Sequence, residues 1–199
     1  MSTDFKVELI GRLVDAGLRR IEVASFVNPK RVPQMADAEA VLARLPTRDD
    51  VHYVGLVLNR KGFERALAAG CGEIGMVTAA TDSFGKRNQG ATVEETIAAW
   101  EEIAPLAHAA GIRVQVTISV SFGCPYEGEV SPERVVDIAK RLARSNPLEI
   151  AIADTIGVAV PTQVTSFVER LKQAIPEVPL RCHFHNTRNT AVANAYAAV

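Results

Sequence analysis

Two histidines, His183 and His185, stand two residues apart in the run HFHN. On an extended strand that spacing sends both imidazoles to one face, about 7 Å apart along the chain. There they suit two coordination positions of a divalent metal ion. One packed histidine beside one surface histidine is the bland reading of such a pair; a place at the C-terminal end of a strand, on its inward parity, favours the metal. Two imidazoles do not complete a site, and ligand type alone does not name the ion. Glu22 lies in the otherwise apolar run RRIEVASF, where a carboxylate is expensive to bury unless it is paired or put to use. It is a candidate general base or acid, with a purely structural ion pair as the alternative. Asp154 closes the run LEIAIAD ahead of Thr155, Ile156 and Gly157. Strict alternation groups it with Ile150 and Ile152, so facing a site requires a bulge or twist at the strand end. As a loop-fixing aspartate it would be equally at home.

Weaker candidates surround these. The stretch GCPYEGEVSPE follows a strand pattern and reads as a loop whose proline and glycines set its shape, with Cys124 as a thiol or a small filler. His52 and His108 read as structural or surface residues. Lys30, Arg31, Lys86 and Arg87 follow strand ends and can meet an anionic ligand, although solvated loop charge is the ordinary reading. No GxGxxG or Walker loop is present.

The elements that must position these residues alternate along the whole chain. Strand patterns end at Phe26, Asn59, Ala80, Phe122, Thr155 and Asn186, each followed by turn residues and a helical pattern. That is the signature of repeated βα units on a parallel sheet. Ser2 or Thr3 can cap the first helix, Gly17 suits its left-handed end, and Ser131 with Pro132 opens another. Pro161 does the same after Thr155. In VQVTISV the residues Val114, Val116, Ile118 and Val120 share one face and Gln115, Thr117 and Ser119 the other. The same split sets Ile21 and Val23 against Glu22 and Ala24, Val54, Leu56 and Leu58 against Gly55 and Asn59, and Cys182 and Phe184 against His183 and His185. A strand between two helical layers is apolar on both faces; one apolar and one polar face suits a (β/α)8 TIM barrel, whose interior carries polar groups. Such a barrel has eight strands in about 250 residues, and about six are counted here, so residues 1–199 read as one incomplete barrel domain. The opening directly on a helix and the close inside an apolar helical pattern fit that expectation.

Composition narrows the class further. The 199 residues carry 22 Lys+Arg against 23 Asp+Glu, a net charge of −1, and are 48% hydrophobic. No nucleic-acid partner is expected from so balanced a charge. No run reaches the roughly 18–20 apolar residues of a membrane span, and MSTDFKVELIGRL lacks a signal-peptide layout, so a cytoplasmic protein is expected. Cys71, Cys124 and Cys182 are dispersed and odd in number, which suggests reduced thiols rather than a disulfide framework.

Several stretches together resemble hydroxymethylglutaryl-CoA lyase, of the DRE-TIM metallolyases: IEVASFVNPKRVPQMAD, NRKGFERALAAG, FGCPYEGEVSPERV, ADTIGVAVPTQV and HFHNTRNTAVANA. They occur in order and cover nearly the whole chain. The resemblance implies a (β/α)8 barrel with a divalent metal, Mg or Mn, an acyl-CoA substrate, and cleavage of 3-hydroxy-3-methylglutaryl-CoA to acetyl-CoA and acetoacetate. It assigns His183 and His185 to the metal and Glu22 and Asp154 to the acidic residues of the site, with Asn59 and Thr155 expected to bind substrate. A homodimer is compatible with the likeness. The family's first-strand arginine and aspartate, its later catalytic cysteine and its last metal-shell asparagine have no counterpart in this chain, and Cys124 matches a different position from that cysteine. The alternatives are a related aldolase or Claisen-type condensing enzyme of the same superfamily, or an inactive barrel segment that serves as a binding partner.

Overall fold

The computed structural model describes residues 1–199 and alternates helix with strand from end to end. In chain order the elements are α1 (Thr3–Asp15), β1 (Arg20–Ser25), a short 3-10 turn (Pro33–Met35), α2 (Ala38–Leu42), β2 (His52–Leu56), α3 (Arg60–Ala68) and β3 (Glu73–Ala79). There follow α4 (Asp82–Asn88), α5 (Val93–Ala109), β4 (Arg113–Ser119), α6 (Pro132–Ala143), β5 (Ile150–Asp154), α7 (Pro161–Ala174), β6 (Leu180–Phe184) and α8 (Ala191–Ala197). The strands stand in the sheet in the order of the chain, and the β1–β2, β2–β3, β4–β5 and β5–β6 registers are parallel. Consecutive parallel strands joined by helices are the repeat of a (β/α)8 barrel, and this chain supplies six of its eight strands. No helix is long and apolar enough to cross a membrane.

Local chemistry accounts for the helix ends. The Ser2 hydroxyl accepts from Phe5 N and the Ser131 hydroxyl from Arg134 N, both at 3.3 Å, satisfying donors that the first turn leaves orphaned. Pro132 and Pro161 occupy first-turn positions, where a missing N–H costs nothing. Gly17 ends the α1 segment at φ +103°, a conformation only glycine reaches cheaply. In α6 the buried residues Val135, Ile138, Ala139 and Leu142 fall three and four apart on one face; Val135, Ala139 and Leu142 are wholly inaccessible. Each large aliphatic side chain buried in this way contributes about 1.5–3 kcal/mol relative to exposure.

By its internal contacts the chain divides into two compact units. The first, Met1–Met76 with Leu106–Val114, holds β1, β2 and the helices around them. Its small clusters set Val23 and Tyr53 against Ile10, Val14, Ile21, Val41, Leu45 and Val51. Glu73, 1% exposed, opens β3 and is held by the guanidinium groups of Arg20 and Arg113, both at strand starts. The second unit, Val77–Pro105 with Gln115–Val199, packs Trp100, Phe167, Ile118, Ile150 and Ile152 into its core, and the Trp100 indole N–H donates to the Leu142 carbonyl at 3.0 Å.

The strands end one to three residues before the expected points, by one at Ser25 and by three at Leu56 and Ser119. Two of the expected strand faces are corrected. In β1 the register slips between Glu22 and Ala24: Glu22 pairs with Val54, Ala24 with Gly55, and Val23 is the extra residue of a bulge. Ala24 therefore leaves the face of Glu22, and Ser25, paired with Leu56, takes it up. In β2 it is Gly55, in register with Ala24, that faces the helix side, where the Phe26 ring occupies the space a side chain would need; a Cβ on Gly55 would lie 2.7 Å from that ring. Val54 and Leu56 accordingly share the Glu22 face, opposite to the sequence-based expectation.

Candidate functional site

In the second unit the expected alternation holds. The β4–β5–β6 registers align Thr117, Ala151 and Arg181, and set Ala153 beside His183. Cys182 and Phe184 lie on the other face with Ile152 and Asp154. Ala151 and Ala153, which share that face, are both buried. His183 and His185 are both exposed, with ring centroids 5.0 Å apart and planes at 66°. Two imidazoles bound to one ion at the usual metal–nitrogen distance of about 2.1 Å hold their centroids roughly 5 Å apart. Partial burial, the neighbouring His185 and Arg181 push the His183 pKa down, favouring the neutral imidazole that ligates metals. The pair thus fits two positions of a metal shell. No group of three or more His, Cys, Asp or Glu side chains is placed to hold an ion, so the chain's own residues do not complete one.

Asp154 does not join the histidines. It keeps the parity of Ile150 and Ile152, is 1% exposed, and accepts from the backbone N–H groups of Val158 at 2.9 Å and Ala159 at 3.0 Å. Its carboxylate shapes the loop that leaves β5. Thr155 is likewise engaged: its hydroxyl accepts from Val120 N at 2.8 Å. Val120 sits at φ +51°, a costly conformation for a β-branched residue. It takes the chain off β4 and turns its N–H toward Thr155.

In the first unit Glu22 is exposed, not buried as the apolar run around it suggested, so the cost that singled it out is not incurred. Asn59 caps α3, its side-chain oxygen accepting from Gly62 N at 3.0 Å. It also lines a cleft of about 810 Å³ with Asn28, Lys30, Arg60, Lys61 and Arg65. Arg65 is committed, through a paired hydrogen bond to Glu39 and a third to the Val27 carbonyl, and lies over the Phe26 ring. Lys30 and Lys61 are exposed. Sequence reasoning picked out Lys30 and passed over Lys61; the signal was the basic first turn of a helix directly after a strand end.

The loop after β4 is built, not loose. Cys124 and Gly128 form an isolated antiparallel bridge, and the Thr81 hydroxyl donates to the buried Cys124 sulfur at 3.1 Å. Glu127 accepts from Ser83 N, and Arg87 stacks on the Tyr126 ring at 4.2 Å. Cys124 is therefore an anchor of this loop.

The HMGL-like family model matches residues 1–199. The chain is 40% identical over 199 residues to hydroxymethylglutaryl-CoA lyase of Pseudomonas mevalonii, covering 100% of this chain and 66% of that protein. It is 42% identical over 203 residues to (R)-citramalyl-CoA lyase of Chloroflexus aurantiacus, covering 97% of this chain and 64% of that protein. The crystal structure of hydroxymethylglutaryl-CoA lyase from Pseudomonas aeruginosa matches with a TM-score of 0.94 at 36% identity, over 100% of this chain and 66% of that one. The chain thus spans about two thirds of the length of these relatives.

Proposed function

Because the chain belongs to the HMGL-like family, we propose that it carries part of the active site of a carbon–carbon lyase that cleaves 3-hydroxy-3-methylglutaryl-CoA to acetyl-CoA and acetoacetate. The observation that carries this reading is the exposed His183–His185 pair at ligating separation. His183 and His185 would hold two positions of a divalent metal, Mg or Mn, which would supply Lewis acidity to the substrate oxygens. In the reaction the 3-hydroxyl gives up its proton, the bond between C2 and C3 breaks, C3 becomes the ketone of acetoacetate, and the acetyl-CoA enolate takes a proton at C2. Glu22 is the carboxylate assigned to these proton transfers, since it is exposed and stands in β1 on the face that Ser25 shares at the strand's C-terminal end. Asp154 and Thr155 act indirectly, holding the backbone that leaves β5 and β4. Asn59, with Lys30 and Lys61, lines the cleft that suits the anionic phosphates of coenzyme A. The three free cysteines fit a reducing cytoplasm.

The likeness to (R)-citramalyl-CoA lyase supports a second substrate of the same class, citramalyl-CoA. One experiment separates the two. The protein is incubated with each thioester in the presence of Mg²⁺ or Mn²⁺ and the CoA products are resolved by mass spectrometry. The expected result is acetyl-CoA from 3-hydroxy-3-methylglutaryl-CoA, lost in the His183→Ala, His185→Ala double variant. Cleavage of citramalyl-CoA alone would reassign the substrate. Cleavage of neither, with no metal affinity above that of the double variant, would leave an inactive barrel segment.

A further inference from the structure

We infer that Ser25 is a substrate-contacting residue of this lyase, its hydroxyl reserved for an oxygen of the bound acyl group; the inference rests on the lyase reading above. Ser25 is the last residue of β1, at the end of the strand where barrel enzymes place their chemistry. Without the bulge it would point to the helix side. The slip between Glu22 and Ala24 returns it to the face of Glu22: Glu22 pairs with Val54 and Ser25 with Leu56, two residues further along β2. Bulges recur beside active sites because they re-aim a side chain in this way.

The hydroxyl so placed has no partner. Ser25 is 9% exposed, and its Oγ is buried without a hydrogen bond. Other hydroxyls near strand ends are satisfied within the protein. Ser119 donates to the Thr78 carbonyl at 3.1 Å, Ser121 to the Ile118 carbonyl at 2.7 Å, and Thr155 accepts from Val120 N. An orphaned buried hydroxyl is a standing cost to the fold, and such groups are uncommon and call for a reason. A hydroxyl is both donor and acceptor, which matches the 3-hydroxyl or a carboxylate oxygen of a 3-hydroxyacyl thioester. Leu56, its register partner, is only half-buried, so the same face opens to solvent beside Ser25.

The test is Ser25→Ala in the protein assayed with 3-hydroxy-3-methylglutaryl-CoA, with the thermal unfolding midpoint recorded for every variant. Removing an unsatisfied hydroxyl should leave the midpoint unchanged or raised, while kcat/KM falls roughly tenfold, the worth of one hydrogen bond made only with substrate. Ser25→Thr, which keeps the hydroxyl, should recover most of that loss. A midpoint lowered together with activity would make Ser25 structural, and unchanged kinetics in Ser25→Ala would remove it from the site; either overturns the inference and leaves the lyase reading intact. If the wild-type protein does not cleave the thioester, the lyase reading falls first and this inference with it.

Discussion

Asp154 and Phe184 are register partners across β5 and β6, which turns the Asp154 carboxylate away from the face that carries His183. Its two oxygens take the N–H groups of Val158 and Ala159, so the carboxylate is committed to holding the loop. Asp154→Ala should therefore cost stability before chemistry. Two donors lose their acceptor, worth about 2–4 kcal/mol, which for a chain of this size lowers the melting midpoint by roughly 5–15 °C. Asp154→Asn keeps one acceptor oxygen and should lose about half as much. Hydrogen exchange at residues 155–160 is the local readout; protection there unaltered in Asp154→Ala would refute the assignment.

How far the sequence could be read differs from strand to strand. In β5 and β6 the polar–apolar alternation of LEIAIAD and LRCHFHN is carried through without interruption, and His183 and Asp154 stand on the faces that parity dictates. In β1 and β2 it fails. The RRIEVASF pattern contains no glycine or proline to announce a bulge, and Gly55 stands in register with Ala24 on the helix side, where the Phe26 ring leaves no room for a larger residue. That is a tertiary fact. Asn59 was recognisable as a helix cap from its place before RKGFER. The engagement of Thr155 was not, since it depends on Val120 at positive φ, a conformation no propensity favours for valine.

Glu73 should be the most sensitive charged residue of the first unit. It is 1% exposed and faces two guanidinium groups. Breaking a buried ion pair from the side that leaves charge uncompensated costs about 3–5 kcal/mol. Glu73→Ala removes the carboxylate that both guanidinium groups face, whereas Arg113→Ala leaves Glu73 paired with Arg20. Urea unfolding should thus rank the variants with Glu73→Ala well below Arg113→Ala. The reverse order would show that desolvation of the carboxylate outweighs its pairing.

Acid should unfold the protein in part through the α2 region. The Asp37 pKa is lowered chiefly by the Lys6 ammonium, with a further hydrogen bond from Thr3, and that of Glu39 by the Arg65 guanidinium. A carboxylate whose folded pKa lies below its unfolded value adds stability above the unfolded value, near 4, and loses it as pH falls through the folded one. The unfolding midpoint should stay level from about pH 7 to pH 5 and decline below about pH 4. An Asp37→Asn, Glu39→Gln double variant should start lower at neutral pH and decline less steeply in acid. Parallel curves for the two proteins would exclude this region as a source of acid sensitivity.

Gly157 offers a test of the loop that Asp154 holds. Its φ is +68°, and a Cβ there would meet the Thr187 side chain at 2.6 Å and the Thr187 backbone N at 3.0 Å. Two costs are therefore superimposed in Gly157→Ala, the left-handed backbone, about 1–2 kcal/mol, and a collision with a β-branched neighbour. Thr187→Gly removes the side-chain part of the collision and leaves the backbone cost. The double variant Gly157→Ala, Thr187→Gly should be more stable than the sum of the single effects predicts, with a coupling of about 1 kcal/mol or more. Strict additivity in chemical denaturation would mean that the loop moves away from Thr187. In that event Asp154 would not fix its path as tightly as its two hydrogen bonds require.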